Sequence, residues 1–139
     1  MTRFPKTAFC AAVLFSALSF SAAAQVHLIV GKWQWTRPEN KCTEVYEFRQ
    51  DGKLHVVSGE EITDNTYSIS PGPDPRGFYT LTTRTVKTNK GRDCTGSPAE
   101  GNDDLPYTTY LVFHRTEPQY MVCEKTSLEK CFGPFRRTK

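Results

Sequence analysis

Set aside its first 24 residues and the chain has almost no net charge. That segment holds two of the 18 Lys and Arg and none of the 15 Asp and Glu, which leaves 16 against 15. So even a balance gives no electrostatic case for nucleic acid, which needs a basic face. No run of basic residues is present to hold the chain on an anionic membrane, and Arg136, Arg137 and Lys139 read as a short solvated tail. Helical periodicity is missing too: beyond the N-terminal segment no run of ten or more residues repeats its apolar side chains every 3.6 residues. There is no C-x-x-C, no internal repeat and no low-complexity segment. A Gly-x-Ser-x-Gly elbow is absent, and Gly91 and Gly96 lie in a loop with no helix after it, so neither a nucleophile elbow nor a phosphate cradle is implied. His27, His55 and His114 fall on three separate strand candidates, which gives no spacing for a metal. No cofactor is expected, and without a catalytic signature the chain reads as non-enzymatic.

What is present begins with an export signal. Arg3 and Lys6 precede a mostly apolar, uncharged run from Ala8 to Phe20, and Ser21, Ala22, Ala23 and Ala24 supply the small side chains of a cleavage site. The run is shorter than the roughly 20 residues of a spanning helix, which favours cleavage over an uncleaved anchor. Cys10 lies within it, and Thr7, Ala8 and Phe9 before it do not form a lipoprotein box. Cleavage after Ala24 is expected, leaving residues 25–139, a single domain of 115 residues, in the periplasm or outside the cell. Stable membrane insertion is not expected after the cut, and a monomer is expected.

Four cysteines remain: Cys42, Cys94, Cys123 and Cys131. An even number in an exported chain reads as two disulfides, and four cysteines allow three pairings. Cys42 with Cys94 and Cys123 with Cys131 is the preferred set, closing one long and one short loop. The chain-entropy description assigns such loops about 4 and about 2.5 kcal/mol, a large share of the net stability of a small domain.

The rest of the chain reads as short strands separated by turn chemistry. Strand candidates are His27–Thr36, with Trp33 and Trp35 on one face, Cys42–Arg49, Leu54–Ser58, Glu61–Ser70, Phe78–Lys87, Tyr107–Arg115, Tyr120–Glu124 and Cys131–Arg137. Asp51-Gly52 between two β-patterned runs is a strong hairpin signal. The prolines of Pro71 to Gly77 keep that stretch out of a ladder. Thr126-Ser127-Leu128-Glu129 matches a capping box and predicts one helical turn. Eight antiparallel strands with mostly neighbouring connections predict an all-β fold, a small up-and-down barrel of about eight strands, because closure removes exposed sheet edges.

Alternation along Cys42–Arg49 puts Glu44 on the same inward face as Tyr46 and Phe48. A carboxylate inside a barrel is costly unless paired, so a structural hydrogen bond is the first explanation and a ligand-binding carboxylate the second. Glu44, Tyr46 and Trp35 are the candidate binding residues. A barrel of this size has little volume left after its own side chains are packed, so the aromatics are expected to be mostly core.

Gly31-Lys32-Trp33, opening the first strand, resembles the Gly-x-Trp of lipocalins and other calycin barrels. The longer pattern through Cys42-Thr43-Glu44, Tyr46, Phe48-Arg49, Asp51-Gly52 and Ser58-Gly59 resembles small lipocalin-like proteins exported by bacteria, a mostly uncharacterised group. The resemblance implies that Trp33 closes one barrel end and that Arg136 or Arg137 packs across it, with Gly31 as part of the closure. Two functions follow from the sequence. The first is a binding module for a small apolar ligand in the barrel mouth, with an aromatic lining and few polar groups. The second is a periplasmic interaction protein or hydrolase inhibitor acting through the 19-residue segment 88–106, whose far half is acidic.

Overall fold

Side chains at alternate positions of the fourth strand, Glu61, Thr63, Asn65, Tyr67 and Ile69, are covered while those between them are exposed. That two-residue rhythm, with apolar or aromatic groups recurring on one face, folds the chain into strands that need a shared interior. A computed structural model describes residues 26–98 and 105–139. The expected signal segment 1–24 and its expected cleavage after Ala24, with the acidic residues Glu100, Asp103 and Asp104, lie outside these residues.

Eight strands form one closed antiparallel barrel in sequence order. They are β1 (Gly31–Thr36), β2 (Thr43–Phe48), β3 (Lys53–Ser58), β4 (Glu61–Ile69), β5 (Tyr79–Thr88), β6 (Tyr107–Phe113), β7 (Gln119–Cys123) and β8 (Cys131–Arg137). Closure comes from β1 on β8, where Trp33 pairs with Arg137 and Gln34 with Arg136. The expected barrel and both preferred disulfides, Cys42–Cys94 and Cys123–Cys131, are present. An eight-stranded antiparallel barrel fits the lipocalin-like architecture that Gly31-x-Trp33 suggested. The hairpin at Asp51-Gly52 has Gly52 at φ 79°, and Arg49 and Lys53 close the turn by a 2.8 Å backbone bond.

Two local expectations are corrected. The first strand begins at Gly31 rather than His27. Residues 27–30 instead form a turn, closed by Val30 N–H on the His27 carbonyl, that drives Ile29 fully into the core. The capping box at Thr126–Glu129 gives bends and no helical turn. Residues 124–130 instead bend back between strand ends joined by the Cys123–Cys131 bridge, with the Glu124 N–H donating to the Lys130 carbonyl at 3.3 Å. The last strand runs from Cys131 to Arg137 as expected and carries one extra residue against β7: Val122 pairs with Phe132 and Tyr120 with Phe135. The bulge falls at Gly133-Pro134, where the proline needs no ladder partner.

Candidate functional site

The two barrel ends differ. At the end where β1 starts and β8 finishes, Trp33 is 1% exposed and donates its indole N–H to the Ile29 carbonyl at 2.7 Å. Phe113 and Tyr120 pack against it, and Tyr120 stacks in turn on Phe135 at 5.1 Å. The Arg137 guanidinium lies 4.2 Å from the Trp33 ring centroid and donates to the Val30 and Leu28 carbonyls at 2.8 and 2.6 Å. Arg136, on the opposite face of β8, reaches Glu117 instead, at 4.0 Å and largely in solvent. Gly31 stands where a Cβ would run into the Arg137 guanidinium, and its φ is +134°, which L side chains rarely adopt. A cation over the indole, a tucked turn and a side-chain-free position together seal this end.

The opposite end, at Thr36, Thr43, Ser58 and Glu61, carries both disulfides. Here the chain turns back over the rim. Glu60 and Glu61 N–H groups both donate to the Arg92 carbonyl, Cys94 N–H donates to Ser58 Oγ at 3.0 Å, and Asn40 Nδ2 donates to the Cys94 carbonyl at 2.6 Å. Gly91 lies so close to the Glu60 carbonyl that a Cβ could not be placed there. Cys94 itself is buried. The described part of segment 88–106 is thus a pinned rim of the barrel and not a free loop.

Between the sealed end and this rim lies a cavity of about 280 Å³. Phe48, Leu54, Leu111 and Tyr120 form its apolar floor, and Tyr46, Val56 and Phe132 continue one wall upward. The facing wall, on β4 to β6, is hydroxylic: Thr63, Thr83, Thr85 and Thr109 surround Asn65, which bonds Thr63 and Thr85 at 2.9 Å each. Three carboxylates, Glu44, Glu61 and Asp93, line the upper part. The cavity and its polar wall depart from the expectation of a filled or purely aromatic interior. β-Branched threonines fit the strands as well as valines would and leave space where Phe or Leu would fill it.

Glu44 is 6% exposed and accepts the Tyr46 hydroxyl at 3.1 Å. Its other oxygen faces the Arg37 guanidinium at 3.5 Å, which in turn lies 5.3 Å over the Trp35 ring. Burial, reinforced by the negative charges of Glu44 and Glu61, pushes the Tyr46 phenol well above its usual range, so it keeps its proton and acts as donor. Partial burial works to raise the Asp93 carboxyl, but hydrogen bonds from the Thr95 hydroxyl and from the Ser97 and Thr95 N–H groups hold it below the usual carboxylate range. Of the three candidate binding residues, Glu44 and Tyr46 face the cavity together. Trp35 does not line it; its ring packs on Phe132 and Phe135 at the rim.

Sequence reasoning passed over Glu61, Asp93 and Arg37. Glu61 was recoverable, since Tyr67 and Ile69 on the same alternation must point inward and carry Glu61 with them. Asp93 and Arg37 were not, because they reach the mouth from turns. The three histidines remain apart: His27 bonds the Ser70 carbonyl, His55 pairs with Asp64 on the outer surface, and His114 accepts from Glu117 N–H. Among the described residues no group of three or more His, Cys, Asp or Glu is placed to hold a metal ion, and no helix is long and apolar enough to cross a membrane. Two disulfides fit an oxidising, extracellular-type compartment. Compared with protein-family models, curated proteins and solved structures, the chain matches none.

Proposed function

We propose that the chain is an exported, non-enzymatic binding protein that holds a small molecule in the open half of its barrel. The observation that carries this is the asymmetry of the interior: one end is plugged by Trp33 under Arg137, while the other retains about 280 Å³ of lined space. Ligand pockets run from about 300 to 1,000 Å³, so this one suits a small ligand. At roughly 30 Å³ per liquid water it has room for about nine, hence for a molecule of about nine to twelve non-hydrogen atoms. A long acyl chain or a tetrapyrrole is too large. The lipocalin-like opening strand, the N-terminal export pattern and the disulfides all support a carrier or sensor in the periplasm or beyond it.

The test is a ¹H–¹⁵N spectrum of residues 25–139 titrated with a panel of compact ring compounds bearing basic, neutral and acidic heads. Saturable shifts should centre on Val56, Thr83, Thr109 and Leu111 and spare Ile29 and Trp33. Val56→Trp should place an indole in the cavity and abolish those shifts while the fold is retained. If every panel member leaves the interior resonances unmoved, the carrier reading fails.

A further inference from the structure

We propose that the ligand is a small neutral carboxamide on a compact ring, with its C=O and N–H edge on the hydroxylic wall of the cavity and its ring on the Phe48–Leu111–Tyr120 floor. This rests on the carrier reading and names the chemistry of its ligand.

Asn65 sets the polarity of that wall. It is 8% exposed, and its side chain lies between the hydroxyls of Thr63 on β4 and Thr85 on β5. Its Nδ2 is 3.4 Å from the Leu54 carbonyl, which can only accept, so the amide is held one way round. In that orientation Nδ2 donates to Thr63 Oγ1, and Oδ1 accepts from Thr85 Oγ1, at 2.9 Å each. Thr63 is used there as an acceptor and keeps its own proton to give. Thr85 has given its proton and keeps lone pairs to fill. The wall therefore offers the cavity one donor and one acceptor in a fixed order. The Asn65 amide spans the two hydroxyls from behind. A guest amide complements them from the front, with its C=O on Thr63 and its N–H on Thr85.

Thr109 points to a guest independently. It is 9% exposed and lines the cavity, and among the described residues no hydrogen bond takes its hydroxyl. Thr83, on the neighbouring strand, lines the same wall and is likewise without a hydrogen-bond partner among the described residues. A buried hydroxyl needs a partner, and here the cavity is where one can stand. The second N–H of a primary carboxamide has this pair to donate to. The mouth, by contrast, is closed on itself. Glu44 takes the Tyr46 hydroxyl and faces Arg37, Asp93 takes the Thr95 hydroxyl with the Thr95 and Ser97 N–H groups, and Glu61 has interactions of its own. A cation would have to break into these pairs. An anion would add negative charge beside carboxylates in a partly enclosed space, where Coulomb energies exceed those in water. A neutral guest meets neither cost, and its ring has Phe48, Leu54, Leu111 and Tyr120 to lie on.

The experiment compares benzamide, acetophenone, benzamidine and benzoate, ring compounds of matched size. At pH 7 they are respectively a neutral donor and acceptor, a neutral acceptor only, a cation and an anion. Binding to residues 25–139 is measured by calorimetry and by the same interior resonances. Benzamide should bind about tenfold more tightly than acetophenone, whose methyl leaves Thr85 unmet, and more tightly than either ion. Added salt should leave its affinity unchanged. Thr85→Val removes the acceptor and should lower benzamide affinity about tenfold while moving acetophenone less than twofold. Thr63→Val removes the donor and should weaken both compounds. Where a valine variant does not fold, the order of the four compounds on the unsubstituted chain decides. If acetophenone equals benzamide, if benzamidine or benzoate exceeds it, or if Thr85→Val affects amide and ketone alike, the amide assignment is overturned while the carrier reading stands. If none of the four perturbs the interior, both fall.

Discussion

Substituting Gly31 and Arg137 singly and together tests how the barrel is sealed. Arg137→Ala removes a cation–π contact of about 0.5–1 kcal/mol at an exposed site. It also removes two charge-assisted bonds to the Leu28 and Val30 carbonyls. The guanidinium is solvent-exposed and water can reach those carbonyls once the side chain is gone, so each bond counts about 0.5–0.75 kcal/mol, the low end for an ordinary hydrogen bond, and the total is about 2 kcal/mol. Gly31→Ala has two costs. One is backbone strain at φ +134°, about 1–3 kcal/mol. The other is the collision of its methyl with the Arg137 guanidinium, which is pinned on two carbonyls and can yield only by leaving them. That second cost is the same 2 kcal/mol, counted again. In the Arg137→Ala background the methyl meets nothing, and only the strain remains. The double variant should therefore be about as stable as Gly31→Ala alone, a coupling of about 2 kcal/mol. Urea unfolding of residues 25–139 followed by tryptophan fluorescence measures all four corners of the cycle. Arg136→Ala, removing a solvent-exposed partner of Glu117, should change stability by less than about 0.5 kcal/mol. Additivity of Gly31→Ala and Arg137→Ala within about 0.5 kcal/mol would refute the pinned-guanidinium explanation, as would equal losses for the two arginines.

Trp33→Ala should cost about 3–5 kcal/mol as a large-to-small change at a 1% exposed site, with a matching fall in the urea midpoint. Opening Cys42–Cys94, with 52 residues of separation, by paired alanine substitution should cost about 4 kcal/mol, against about 2.5 for Cys123–Cys131 with 8; a reversed order in chemical denaturation would contradict the loop-closure account. Asp74, held down chiefly by the Phe78 N–H, and Asp93 have folded-state pKa values below their unfolded ones. The stability they contribute is complete above an unfolded value of about 3.9 and disappears as pH falls through the folded values, so Asp93→Asn should flatten the acid limb of the unfolding curve. Burial raises Tyr46, Tyr67 and Tyr120, and their contribution is complete below about pH 10 and is lost as pH climbs beyond it. Tyr46→Phe should reduce the loss measured between pH 10 and 11.

The strand number, the hairpin at Asp51-Gly52 and the inward face of Glu44, Tyr46 and Phe48 were legible because each is a local rule: alternation, turn chemistry, the ban on proline in a ladder. The turn over His27–Val30 was not, since its residues are β-prone and only the burial of Ile29 beneath Trp33 decides their path. Neither was the placement of Phe132, 37% exposed at the cavity mouth, on the same face of β8 as the fully buried Phe135. Three residues apart, they violate strict alternation, and only the bulge at Gly133-Pro134 puts both rings on one face, 6.0 Å apart. The cavity stayed hidden for another reason. Volume is a sum over all eight strands, and the threonines of β4, β5 and β6 read individually as ordinary strand residues. Residues 88–98 read as part of a long loop because their order comes from partners far away in sequence, Asn40 and Ser58, and from Gly91 fitting under the Glu60 carbonyl.

Xenon provides the most direct test of a barrel sealed at one end and hollow toward the other, because it enters apolar space without needing a polar partner. Crystals of residues 25–139 pressurised with xenon should show an interior peak bounded by Phe48, Leu54, Leu111 and Tyr120, and none beneath the Trp33 indole. An interior without xenon, or a peak on the Arg137 side of Trp33, would contradict it.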